Sequence, residues 1–170
     1  MTKTPDRSEA APAYFTYIDK VPAGDIRDTL GAQLDETIVL FSGIAEETSR
    51  HRYAPEKWSI RQLLNHLNDT ERVFLYRALW FARGFSDPLP SFDEKISAAA
   101  ARADEIPLAR HLEEFRAVRS STVAFFRSLP DEAWTRRGIA SGNPITVNAL
   151  AYVAAGHVAH HTGILRERYL

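Results

Sequence analysis

The chain has 170 residues and no Cys; 45% of its residues are apolar and 25% charged. That length and composition fit one ordinary globular domain with a core of useful size. Without Cys, disulfides, thiolate metal sites and cysteine nucleophiles are excluded, so any metal ligands must be His, Asp or Glu. Lys and Arg number 21 against 22 Asp and Glu, a net charge of −1, which argues against a dominant phosphate-binding surface. No nucleic-acid partner is therefore expected. No stretch approaches the ~18 consecutive apolar residues of a spanning helix, so no membrane partner is expected either. The first residues are polar, with no apolar run after Lys3 and Arg7, unlike a secretory signal. The expected address is cytoplasmic.

Residues 1–13 read as a flexible leader rich in Pro, Ala and charge, ahead of one helical domain over 14–170. The first helix is expected over residues 25–47, with Asp25 as its cap. Ile26, Leu30, Leu34, Ile38, Phe41 and Ala45 recur at three- and four-residue steps, while Asp28, Asp35 and Glu36 face water. The second spans 59–83. Ser59 and Gln62 form a capping-box pair, Ile60, Leu63, Leu64, Leu67, Phe74, Ala78 and Phe81 make the stripe, and Gly84 stops it. A turn-rich crossing follows, and residues 94–102 suggest a short extra helix. The third helix spans 108–129, between Pro107 and Pro130, with Leu112, Phe115, Val118, Arg119, Thr122, Phe125 and Phe126 in its pattern. The fourth spans 146–168, capped by Thr146. No stretch alternates apolar and polar residues at length, so no strands are expected. Four helices of this length make an all-α four-helix bundle, and the longer links allow connectivity other than simple up-down.

Three of the six His lie in Gly156-His-Val-Ala-His-His-Thr-Gly163. His157 and His161 are separated by about 40° around a helix and ~6 Å along it, the spacing of a His-x-x-x-His metal pair. His157 shares a line with Leu150, Val153, Ile164 and Arg168, and His66 lies among Leu63, Leu67, Thr70 and Val73. Histidines on apolar faces need partners. Hydrogen bonding satisfies each of them singly, and a shared metal satisfies them together. Periodicity does not put His66 next to His157. His51 and His111 have polar company and are expected to be solvated; His160 reads as a neighbouring group, a pocket base or a surface residue.

The sequence resembles the DinB-like superfamily (DinB/YfiT-like) of metal-binding four-helix bundles over roughly residues 14–170. The segments that carry the resemblance are Tyr17-Ile-Asp-Lys-Val-Pro-Ala-Gly-Asp25, Tyr53-Ala-Pro-Glu-Lys-Trp-Ser-Ile-Arg61, Leu64-Asn-His-Leu-Asn-Asp-Thr-Glu-Arg72, Tyr76-Arg-Ala-Leu-Trp-Phe-Ala-Arg-Gly84, Pro88-Leu-Pro-Ser-Phe-Asp-Glu94, Phe126-Arg-Ser-Leu-Pro-Asp-Glu-Ala-Trp134, and the run from Gly156 to Tyr169. The resemblance implies one metal ligand from the second helix and a pair from the fourth. Carried over by position, these are His66, His157 and His161. It also implies a divalent metal, zinc or nickel, and a homodimer. Among relatives are thiol-dependent S-transferases and isomerases that use low-molecular-weight thiols.

Three protein ligands leave positions open for water or substrate, the layout of a catalytic site. The expected function is a metal-dependent enzyme, of thiol-dependent S-transferase or hydrolase type, acting on a small molecule; no residue is named as catalytic. The alternative is a bundle that holds metal or ligand without turnover, and behind it a purely structural bundle. Asp69, three residues from His66, is the candidate acceptor for that ring's other nitrogen, with Arg72 and solvent as its competing partners. Arg77 reads either as a site for an anionic substrate or, preferentially, as half of a helix-flanking ion pair. Trp58, Trp80 and Trp134 are candidates for a pocket wall or, preferentially, packing.

Overall fold

A computed structural model describes residues 3–170. Two short helical turns, Pro12–Tyr14 and α1 (Phe15–Ile18), precede α2 (Ile26–Ser42). Then come α3 (Ile60–Ala82), the short α4 (Glu94–Ala101), α5 (Leu108–Arg127), a hairpin of β1 (Arg137–Ala140) and β2 (Asn143–Thr146), and α6 (Val147–Arg168). The helix starts follow local capping chemistry. Asp25 accepts from Arg27 N, Ser59 and Gln62 form the reciprocal capping box, and Thr146 accepts from Ala149 N. α2 ends at Ser42, short of the expected residue 47, because Gly43 breaks the run and Ala45 is exposed.

Of the four long helices, α3 packs against α5 and α6, and α2 packs against the same two. Consecutive helices α2 and α3 therefore sit diagonally, and so do α5 and α6. Long links must cross the ends of the bundle, a connectivity unlike a simple up-down bundle. Buried Arg61 pins the first link. Its guanidinium donates to Ser49 Oγ at 2.7 Å and the Asp104 carbonyl at 2.9 Å, and pairs with the Glu46 carboxylate. The other Glu46 oxygen accepts from Leu108 N at 3.1 Å, capping α5, whose own cap residue is Pro107.

The second link contains the hairpin, where no strand was expected. Its strands are four residues each and include Pro144, too short and irregular for an alternating pattern to register. The turn identifies it instead: Ser141 and Gly142 have φ of 53° and 74°, as a two-residue type I′ hairpin requires. The crossing before α4 docks on this hairpin through Leu89 N to Ile139 O at 2.9 Å and Ser141 N to Leu89 O at 3.1 Å. On the other edge, Thr146 N donates to Glu9 O at 2.9 Å and Ala10 is buried. Within the segment expected to be a flexible leader, Lys3 O accepts from Asn148 Nδ2 and Glu9 Oε2 from Thr146 Oγ1; Met1 and Thr2 lie outside the described residues.

α6 is buried nearly all round from Val147 to Val158, which suits its run of Ala and Gly. At Gly156 the backbone of Tyr17 comes so close that a Cβ would sit 2.1 Å from its carbonyl oxygen. Only glycine permits that approach. It brings α1 onto α6 beside His157. No helix among the described residues is long and apolar enough to cross a membrane.

Candidate metal centre

α3 supplies His66 and α6 supplies His157 and His161, and the packing of these two helices brings the three rings together. His66 Nε2 lies 3.0 Å from His157 Nε2. Ring centroids are 4.8 Å apart for His66 and His157, 4.9 Å for His66 and His161, and 4.5 Å for His157 and His161. One nitrogen from each ring falls in a group no wider than 4.8 Å. Two nitrogens bound tetrahedrally to one ion at about 2.05 Å stand about 3.3 Å apart, so the spacing suits a shared cation.

Burial sets the charge state. It pushes the His66 imidazole down to about 4. Burial, then the neighbouring His66 and His160, pushes His161 down to about 3. His157 is held well below the usual value by burial, then by His161, His66, His160 and Arg119. At neutral pH all three rings are neutral and present lone pairs, the state a metal ligand needs. The donor set is all-nitrogen, with no carboxylate in the group. These observations fit a divalent transition-metal cation.

The surroundings orient the rings. Thr70 Oγ1 is 3.2 Å from His66 Nδ1, which leaves Nε2 facing the other rings. Trp58 lies on His66 with centroids 4.6 Å apart, and Tyr17 and Phe74 meet the His157 ring edge-on at 5.3 and 5.6 Å. Below this layer a belt of polar groups ties all four long helices. Arg119 of α5 pairs bidentately with Glu71 of α3, both contacts 2.7 Å, and reaches Gln33 Oε1 of α2 at 2.9 Å. Gln33 Nε2 donates to the Ala155 carbonyl of α6 at 3.0 Å, two residues from His157.

A model of the DinB superfamily matches residues 29–165. The chain belongs to the DinB superfamily. Its fold is shared with YfiT from Bacillus subtilis, described as a probable metal-dependent hydrolase with an unusual four-helix bundle topology. That match has a TM-score of 0.66 and 20% identity, over 95% of this chain and 91% of that one. It is also similar to the mycothiol-dependent maleylpyruvate isomerase, with a TM-score of 0.69 and 11% identity over 85% of this chain. The chain spans only 61% of that longer protein. No functionally curated protein matches this DinB-superfamily chain in sequence.

Other expected site residues fall differently. Asp69 is not the acceptor for His66; it takes hydrogen bonds from Asn65 Nδ2 at 3.0 Å and Ser97 Oγ at 2.9 Å, with Arg72 at 3.6 Å. The step from 66 to 69 turns away from the ring nitrogen that the step to 70 reaches, so Thr70 fills that role. His111 is not solvated. It is fully buried, with Nε2 3.0 Å from the Ala103 carbonyl, because the segment after α4 folds over it. His51 is exposed as expected. His160 is half-buried and meets the rings of Tyr17 and His161. Among the described residues Arg77 has no helix-flanking ion pair; it is buried, and its Nη2 donates to Pro90 O at 3.0 Å and Ser141 Oγ at 2.8 Å. Trp80 stacks on Phe85 and Trp134 packs on Phe126, whereas Trp58 lines a cavity beside His161.

Proposed function

We propose that this protein is a divalent-metal-dependent enzyme that acts on a small molecule, a transferase using a low-molecular-weight thiol or a hydrolase. The observation that carries the reading is the convergence of three neutral imidazole nitrogens, from two helices, inside 4.8 Å. His66, His157 and His161 would hold the ion. Three ligands with no carboxylate among them leave room for water or substrate, unlike a closed structural site. When bound, such an ion supplies Lewis acidity, which makes hydroxide from water or thiolate from a thiol available near neutral pH.

The chain's own residues do the rest. Thr70 keeps the His66 ring turned toward the site, and Trp58, Phe74 and Tyr17 pack the rings and limit water. Two cavities reach the triad. One, of about 180 Å³, is lined by His157, and the other, of about 350 Å³, by His161 with Tyr53, Trp58, Ile164 and Tyr169. Two approaches to one centre suit a reaction that joins two reactants, which favours thiol transfer over hydrolysis. The mycothiol-dependent neighbour points the same way. A homodimer and a cytoplasmic address belong to the same reading, the first checked by sedimentation of the purified protein.

The test is elemental analysis of untagged protein, followed by assays of the metal-loaded form with thiols plus electrophiles and with hydrolysable esters and amides. The expected result is one divalent ion per chain, metal-dependent turnover, and loss of both in His161→Ala. Protein that binds no zinc or nickel refutes the reading. Metal binding without turnover on either panel refutes the catalytic part and leaves a metal-binding bundle.

A further inference from the structure

Three arginines among the described residues are nine-tenths or more buried: Arg61 at 2% exposed, Arg77 at 5% and Arg119 at 0%. Two of them have counter-charges. Arg61 is paired with Glu46 and Arg119 with Glu71. Arg77 has no carboxylate at ion-pair distance among the described residues. Its Nη2 is held by the Pro90 carbonyl and the Ser141 hydroxyl, and the Tyr14 hydroxyl is a further hydrogen-bonding neighbour. All three partners are neutral. They fix the guanidinium in place without a bonded counter-charge, although the Glu94 carboxylate shares the lining of the cavity it faces.

A buried cation without a counter-charge is costly. Burial indeed pushes the Arg77 pKa below its ordinary value, yet a guanidinium stays protonated in proteins. The cost also has a direction, because Arg77 opens on a space. It lines the cavity of about 180 Å³ together with Tyr14, Tyr17, Thr70, Ser141 and His157. The unpaired cation and one imidazole of the triad therefore share a single small chamber. A cavity on the order of 150 Å³ accepts a molecule the size of benzene. The hairpin helps to build the chamber: Ser141, whose hydroxyl holds Arg77, sits at its turn with φ of 53°.

We infer that this chamber is a carboxylate subsite, in which Arg77 binds the carboxylate of a small organic acid while the remainder of the molecule extends toward the histidine triad. The inference rests on the proposed metal centre for the chemistry at the far end, and stands independently of it for the binding. A planar guanidinium with unused N–H groups matches a carboxylate well. Tyr14 and Tyr17 line the same cavity and narrow it around the guanidinium. A dianion such as phosphate suits the chamber less, because it holds one buried cation and Glu94 lies on its lining.

The experiment uses sodium benzoate as probe, benzamide as its neutral isostere and inorganic phosphate as the dianion. Each is titrated into metal-free and zinc-loaded wild-type protein by calorimetry, with the guanidinium 15N resonance of Arg77 followed in parallel. In the metal-free form benzoate is expected to bind about tenfold or more tighter than benzamide or phosphate and to move the Arg77 resonance. Arg77→Met abolishes the preference and leaves zinc stoichiometry unchanged; Arg77→Lys restores part of it. Ser141→Ala, a milder change, weakens benzoate about threefold to tenfold by freeing the guanidinium, and serves as the variant if Arg77→Met does not fold. Equal binding of benzoate and benzamide, or a preference that survives Arg77→Met, overturns the inference. Protein that prefers benzoate but takes up no metal overturns the proposed enzyme and not the subsite. Protein that takes up metal without preferring benzoate overturns only the subsite.

Discussion

Glu71→Gln tests the polar belt beneath the histidines. The substitution keeps the shape of the side chain and removes its charge. Arg119, with no exposed surface, then keeps its positive charge without the two 2.7 Å contacts to a carboxylate. The remaining acceptors are neutral: Gln33 Oε1 at 2.9 Å and the Leu30 carbonyl at 3.5 Å. Breaking a buried pair in this way costs about 3–5 kcal/mol. For a domain of this size that corresponds to a fall of roughly 6–20 °C in melting temperature. The double variant Glu71→Met/Arg119→Leu removes both charges together and should return to within about 2 kcal/mol of wild type. Urea unfolding of Glu71→Met, Arg119→Leu and the double variant gives the coupling directly. A loss below about 1 kcal/mol in Glu71→Gln, or a double variant as unstable as the sum of the singles, would refute the argument that charge burial governs this site.

Gly156→Ala drives a Cβ to 2.1 Å from the Tyr17 carbonyl and should cost about 1–3 kcal/mol in thermal unfolding. Gly163→Ala, on the same helix with nothing within 4 Å of the added Cβ, should be neutral or gain up to about 1 kcal/mol. Equal effects at the two sites would contradict the close-approach account. Metal-free protein should lose stability on acidification, because the depressed pKa values of His66 and His157 mean that the unfolded chain takes up protons first. Above the unfolded value of about 6.5 there is little such loss, and between pH 6.5 and 5 the His66 ring, held at about 4, should forfeit about 2 kcal/mol, with a further loss of the same sign from His157, measured by denaturant titration. A flat profile over that window would mean that the rings are not buried neutral. Thr70→Val removes the hydroxyl beside His66 Nδ1 and should weaken zinc binding about tenfold in a chelator competition, with a stability loss of about 1–3 kcal/mol from the buried ring nitrogen left without a partner. Unchanged zinc affinity would show that Thr70 does not orient the ring.

How far the sequence alone reached depends on the distance over which each feature is decided. Helix starts at Asp25, Ser59 and Thr146 were legible because a cap is a contact between residues two or three apart. The shared face of His157 and His161 was legible for the same reason, since four residues along a helix is a local distance. That His66 joins them was not a local fact. Periodicity put it on a buried face, and only the family resemblance paired it with the fourth helix. Arg119 falls in the third helix's pattern, but its burial and its pairing with Glu71, 48 positions away, were not legible there.

Tertiary structure alone decided the rest. His111 reads as solvated because its chain neighbours are polar, yet the segment around Ala103 covers it. Arg77 reads from the sequence as half of a helix-flanking ion pair, yet its partners are the Pro90 carbonyl and Ser141 Oγ, 13 and 64 positions away. The hairpin that carries Ser141 is too short to show a period, and it is held by Leu89 on one side and Glu9 on the other. Burial and charge compensation are properties of the assembled packing, whereas backbone capping and helical facing are properties of a few consecutive residues. The protein's helices could therefore be read from its sequence, and the chamber beside its histidines only from the way those helices meet.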